Sequence, residues 1–153
     1  MFSQTTEYAV RAMAWLALTP NELVPTVSLA EHTQVPSHYL AKVLQQLAAA
    51  ELITGRRGVG GGYRLSRPAG EISVMSVVRA VSSLERITTC PLGIASHGPN
   101  LCPLHRLMDQ AAKVVIEVLE GRSLADLINQ PGMNTPLCNT APGTTVPLSL
   151  NRT

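Results

Sequence analysis

The chain has 153 residues, enough for one domain with a true core plus an appended element or two. Hydrophobic residues make up 45% and aromatic ones only 3%, so the core must come from Leu, Val, Ile, Ala and Met, which suits packed helices and argues against a β-sandwich. A formal net charge of +2 is too small to imply a polyanionic partner by itself, and no membrane span is expected.

Residues 4–18 read as a helix that is apolar nearly all round (Tyr8, Val10, Met13, Trp15, Leu16, Leu18), and therefore as a buried one. Glu7 and Arg11 fall where a secretory leader would be apolar, so no signal peptide is expected and the predicted location is cytoplasmic. A loop follows to Pro25. Ser28-Leu-Ala-Glu31 has the form of a capping box and predicts the start of a short helix, with His32 on its solvated side. Gln34-Val35-Pro36 breaks that helix. Ser37 is the predicted cap of a second one running to about Ala50, whose core face is marked by Leu40, Val43, Leu44 and Leu47 at i, i+3, i+4, i+7. Leu52 to Leu65 reads as strand, glycine-rich turn, strand. Residues 73–84 predict another amphipathic helix, 88–101 a loop, and Pro103 to Glu120 a long helix stopped by Gly121. Ser123-Leu-Ala-Asp126 caps a short last helix. From Pro131 the chain is rich in proline and threonine and nearly uncharged, which predicts a disordered tail.

Two short helices, a tight turn and an immediate β-hairpin spell a winged helix-turn-helix. The expected fold is mainly α with a small β-hairpin wing and a long dimerisation helix. The expected organisation is a DNA-binding domain over 1–87, a cysteine-containing loop over 88–102, the dimerisation and final helices over 103–130, and a tail over 131–153. The implied partner is double-stranded DNA, since the second helix of such a unit enters the major groove. Charge distribution agrees. Residues 37–67 hold Lys42, Arg56, Arg57, Arg64 and Arg67 against the single acid Glu51, a focused cationic surface suited to phosphates. The core stripe leaves His38, Ala41, Lys42 and Gln45 on the opposite face. Ser28, Ser37 and Tyr39 stand near helix starts, where hydroxyls and N–H groups meet phosphate. Arg56, Arg57, Gly58 and Gly60 form the wing tip, which can place an arginine in a narrow minor groove. A glycine-rich nucleotide-phosphate loop would need a Gly-x-x-x-x-Gly-Lys-Ser/Thr run, which is missing. No Ser/His/Asp set, HExxH run or nucleotide fingerprint points to an enzyme or a small-molecule module.

The long helix carries apolar residues at Leu104, Leu107/Met108, Ala111, Val114/Val115 and Val118, a seam for a partner helix and hence for a homodimer. Packing of that seam on its own domain is the alternative. The three cysteines, Cys90, Cys102 and Cys138, are too few and too uneven for a disulfide framework. Cys90 and Cys102 bracket a loop, each followed by Pro-Leu, and His105 lies three residues after Cys102 on the same side of the helix start. Such a set suits a metal or a reactive thiol, and equally a pair of buried small residues.

Four stretches, Thr6-Glu-Tyr-Ala-Val-Arg11, Ser37-His-Tyr-Leu-Ala-Lys42, Arg57-Gly-Val-Gly-Gly-Gly-Tyr63 and Glu71-Ile-Ser-Val with Val77-Val-Arg-Ala-Val81, resemble the Rrf-type winged-helix transcription regulators, the group of IscR, NsrR, RirA and CymR. The resemblance spans residues 1–130. It implies a homodimeric repressor on a pseudo-palindromic operator, with His38, Lys42 and Arg57 as base readers. It also implies a [2Fe-2S] iron–sulfur cluster that senses redox state, iron or nitric oxide. Cluster-bearing members carry three cysteines in the loop. Cys90, Cys102 and His105 match the first cysteine, the third and a following histidine, but Ser96 stands where the middle cysteine belongs. Glu7 matches an acidic ligand that some members draw from the first helix, and His97 is a substitute; Cys138 matches nothing. The departure at Ser96 keeps open a cofactor-free regulator of the same fold that senses by thiol chemistry or a small ligand.

Overall fold

The structure, a computed structural model, describes residues 2–94, 96, 100–131 and 135–137. In chain order it contains α1 (Gln4–Leu18), α2 (Thr26–Thr33), α3 (Ser37–Ala49), β1 (Ile53–Arg56), β2 (Gly62–Leu65), a single 3-10 turn (Ala69–Glu71), α4 (Val74–Val81), α5 (Pro103–Glu120) and α6 (Leu124–Ile128). This is the mainly α fold with a hairpin wing that the sequence predicts. His97, Cys138 and most of the predicted tail lie outside the described residues.

Helix α1 is the hub, with α2, α3, α4 and α6 packed around it. The Ser3 hydroxyl caps it by accepting from the Thr6 N–H at 3.1 Å. Ala9, Ala12, Ala14 and Ala17 are small enough to let neighbours approach closely, while Met13 and Leu16 fill the centre. The predicted stripe of α3, Leu40, Val43, Leu44 and Leu47, is buried throughout. Removing such side chains from water stabilises by about 1.5–3 kcal/mol each, so this face sets the helix's rotation.

Two helix starts differ from expectation. Ser28 does not cap α2; the helix begins at Thr26 with Pro25 at the N-cap and no side-chain cap, so Ser28 is its third residue. Ser37 is likewise the first helical residue of α3, after Pro36. The prolines hold extended backbone, with ψ 147° and 132°, and their carbonyls accept the first helical N–H groups. Helix α4 is also shorter than predicted. It runs from a Ser73 cap to Val81, after which Ser82 is extended. His32 is exposed, as expected, and its ring also stacks on Trp15 with centroids 4.2 Å apart and planes 13° from parallel.

After α5 the chain returns to the first core. The Leu124 N–H donates to the Ile72 carbonyl at 2.9 Å and the Val74 N–H to the Arg122 carbonyl at 2.8 Å. Ser123 and Asp126 form a reciprocal capping box, and Leu124 is fully buried beside α1. Helix α5 itself has a looser bond to the domain. Its one buried residue, Ile116, joins Met75 and Val78 of α4 in a second small cluster edged by Val10, Leu84 and Leu119. Arg79 of α4 adds a 2.6 Å ion pair to Glu120. No described helix is long and apolar enough to cross a membrane.

Candidate functional site

The turn between α2 and α3 uses Gln34 in the left-handed region at φ 54°, followed by Val35, which is buried. Arg11 of α1 fastens this turn. Its guanidinium donates to the Thr33 carbonyl at 2.8 Å, also bonds Glu7 one turn back, and lies 5.6 Å from the centre of the Tyr8 ring. Tyr8 accepts from the Gln4 amide at 2.8 Å and meets Tyr39 edge-on, with centroids 6.3 Å apart. The His38 ring lies 4.5 Å from that of Tyr39, tilted by 43°. The start of the second helix is therefore braced by the N-terminal half of α1. The sequence places Tyr8 in the core and shows no structural partner for Arg11, although their three-residue spacing puts both on one face of α1.

Ser37, His38, Tyr39, Ala41, Lys42 and Gln45 are all exposed on α3, and Ser28 is half-buried on α2. Neither helix start has a side-chain cap, and although the Tyr39 N–H donates to the Pro36 carbonyl, the N–H groups of Ser37 and His38 ahead of it stand open to an anion.

The wing is an antiparallel pair with Ile53 opposite Leu65, Thr54 opposite Arg64, Gly55 opposite Tyr63 and Arg56 opposite Gly62. Ile53, Tyr63 and Leu65 lean on the core, whereas Thr54, Arg56 and Arg64 are exposed. The Tyr63 ring lies over Gly55, where a Cβ would come within 2.8 Å of it. The segment expected as plain loop before Pro25 contributes a third edge. Val24 and Tyr63 exchange two backbone hydrogen bonds of 2.9 Å. Gly62 permits this approach, because a Cβ there would sit 2.5 Å from the Val24 carbonyl, and its φ of 156° disfavours any side chain. The hairpin is thus tied to the residue that precedes α2. Arg57, Gly58 and Gly60 stand exposed in the tip, with both glycines at positive φ. None of Lys42, Arg56, Arg57, Arg64 and Arg67 takes part in an ion pair among the described residues.

Cys102 is the N-cap residue of α5, and its Sγ lies 3.3 Å from Nδ1 of His105. Cys90 is half-buried. The structure does not gather the predicted ligand set. No group of three His, Cys, Asp or Glu side chains is placed to hold a metal among the described residues. Glu7 is committed to Arg11 on α1. The four donors expected of a [2Fe-2S] site are therefore not assembled within one chain, and only Cys102 and His105 meet.

The segment leading to Cys90 is fastened to α5. Arg86 donates twice to the Asp109 carboxylate, at 2.6 Å each, and the Ile87 N–H donates at 2.9 Å. The Arg86 hydrogen bond holds the Asp109 carboxyl below the usual carboxylate range, with partial desolvation opposing and the Ile87 N–H assisting. The same pair raises Arg86.

The architecture is that of a winged helix-turn-helix transcription regulator. The profile of the Rrf2 family, described as an iron-dependent transcriptional regulator, matches residues 2–130. An HTH-type transcriptional regulator of Azotobacter vinelandii is 35% identical over 122 residues, covering 79% of this chain and 74% of that one. Among solved structures, T. potens IscR superposes with a TM-score of 0.67 at 26% identity, covering 82% of this chain and 84% of that one. The oxidized form of Staphylococcus aureus CymR superposes with 0.62 at 27% identity, covering 81% and 92%. This chain belongs to the Rrf2 family of DNA-binding transcriptional regulators.

Proposed function

We propose that the chain acts as a homodimeric repressor on a pseudo-palindromic operator and that a thiol signal at the start of α5 modulates its grip on DNA. The observation that carries the dimer is the exposed apolar stripe of α5, with Leu104 at 62%, Leu107 at 67%, Val114 at 59% and Val118 at 61% exposure. An isolated soluble helix does not keep such a stripe in water; a second copy laid across it buries both. Two-fold pairing then presents two α3 helices to successive turns of the major groove.

Within each half-site, His38 and Lys42 on α3 face base edges, while Ser28, Ser37 and Tyr39 contact phosphates near the uncapped helix starts. Arg56, Arg57, Gly58 and Gly60 bring the wing to the neighbouring groove. The Val24–Tyr63 bonds support this division, because they fix the hairpin relative to α2. The braced Tyr39 orients the first turn of α3.

For the signal, the meeting of Cys102 and His105 favours thiol chemistry. The imidazole is placed to exchange a proton with the thiol, which reacts with oxidants as thiolate. A solved oxidized form of the CymR relative is consistent with such chemistry in this family. A cluster is the second reading, favoured by the iron-dependent description of the family and by the thiolate and imidazole donors. It needs two further donors brought from Cys90 or from the partner, such as the partner's Glu7. Anaerobically prepared protein distinguishes the two. A colourless, iron-free preparation whose DNA binding falls on oxidation and is restored by dithiothreitol supports the thiol reading. Visible absorption bands with stoichiometric iron and sulfide overturn it in favour of the cluster. Oxidation without effect on DNA binding by a colourless protein overturns both.

A further inference from the structure

We propose that Asp109 is a positioning residue that anchors the cysteine-bearing segment to α5 and so keeps Cys90 within reach of Cys102 and His105. The proposal rests on the thiol or ligand role given above to those three residues. The geometry is specific. Asp109 accepts three hydrogen bonds, two from the Arg86 guanidinium and one from the Ile87 N–H. A planar fork facing a carboxylate is both the strongest and the most directional form of ion pair. The carboxylate is largely shielded, with its side chain 13% exposed, and the depressed titration of Asp109 fits a group held in its charged form.

Position gives the pair its significance. Asp109 lies four residues after His105, one turn along the same face of α5, and His105 lies three residues after Cys102. Ile87 lies three residues before Cys90. The segment is therefore fastened to the very face of α5 that carries the Cys102–His105 pair. Three extended residues reach about 10 Å at most, and the seven residues from Cys102 to Asp109 rise about 10 Å along α5. Without the Asp109 anchor, the nearest upstream fixed point is Leu84 in the small α4–α5 cluster, six residues before Cys90. Effective concentration falls roughly as the −3/2 power of tether length, so doubling the tether from three residues to six lowers encounters between Cys90 and Cys102 by about three-fold.

The anchor differs from the ion pair that joins α4 to α5. Arg79–Glu120 joins the two helices themselves, far from the cysteines in sequence. Its loss loosens α5 without lengthening the Cys90 tether, and this difference supplies the control.

The test uses the full chain carrying Cys138→Ser, fully reduced, and a short bis-bromomethyl reagent that bridges two thiols. Each thiolate displaces one bromide, giving two C–S bonds and two bromide ions. The rate of intramolecular Cys90–Cys102 bridging is read by mass spectrometry of a peptide digest. Asp109→Ala is expected to lower that rate about three-fold, and Arg86→Gln, which breaks the pair from the other side, to lower it comparably. Arg79→Gln is expected to leave it unchanged. Single-site alkylation of Cys90 is expected to rise in the first two variants while the far-ultraviolet circular dichroism of all remains alike. Absence of bridging in the parent, an equal rate in Asp109→Ala and Arg86→Gln, or an equal fall in Arg79→Gln would each overturn the proposal. The thiol reading fails on a different result, oxidation of the parent without change in its DNA binding.

Discussion

Leu107 exposes 67% of its surface in the single chain and sits in the middle of the α5 stripe, between Leu104 and Val114. Truncating it to alanine leaves the protomer intact, because Leu107 belongs to neither buried cluster. In the proposed dimer the same change removes apolar contact twice, once from each subunit. Full burial of a leucine stabilises by about 1.5–3 kcal/mol, so the exposed two-thirds, less what alanine retains, amounts to about 1 kcal/mol per subunit. Two-fold symmetry makes that about 2 kcal/mol per dimer, or a dissociation constant weakened roughly 30-fold. Sedimentation equilibrium over a concentration series measures it directly. Arg106→Ala, an exposed position outside the seam, serves as the control and is expected to leave the constant unchanged. A Leu107→Ala dimer as tight as the parent, with an unchanged melting temperature, would refute the assignment of this stripe to the interface.

Arg57→Ala is expected to cost about 1–3 kcal/mol on a site selected from random duplexes if Arg57 reads a base or a narrow groove; an equal small loss on every duplex would reduce it to a phosphate contact. Arg64 lies on the exposed face of the wing in no ion pair among the described residues, so Arg64→Ala is expected to lower the slope of log affinity against log salt by about one, and an unchanged slope counts against any phosphate contact there. Gly62→Ala forces a Cβ against the Val24 carbonyl and is expected to destabilise the fold by about 1–3 kcal/mol in denaturant titrations, with faster hydrogen exchange at Tyr63; a silent substitution would mean the wing is not braced there. Asp109 and Asp126 both titrate below their ordinary value, the first through Arg86 and the second through the Ser123 N–H and hydroxyl. A carboxyl depressed in the folded state contributes stability that is present above its unfolded pKa, about 3.9, and is lost as pH falls through the lower folded value. The melting temperature of the parent is therefore expected to fall more steeply below about pH 4 than that of Asp109→Asn; parallel curves would count against the pair's contribution.

The winged helix-turn-helix, the boundaries of α5 with its capping glycine and the focused cationic window are all legible in the order of the residues. These are local matters. A 3.6-residue stripe such as Leu40, Val43, Leu44 and Leu47 fixes which face of a helix is buried, and Gly121 and Ser123 act within a single turn. The seam of α5 was legible for the same reason, and only the protomer's packing showed that its own domain leaves that seam largely uncovered. Helix starts were read less well. Ser28 and Ser37 look like caps, yet the prolines before Thr26 and before Ser37 set the extended residue from which each helix begins. Everything that joins distant segments was decided by tertiary structure. Val24 pairs with Tyr63 because Gly62 has no side chain, Arg11 reaches the Thr33 carbonyl across 22 residues, and Arg86 finds Asp109 across 23. Sequence patterns report what neighbours along one helix or strand require. The partners of an arginine fork, or the number of thiol donors that converge, depend on how whole elements are placed, and that placement brought Cys102 to His105 while keeping Glu7 on Arg11.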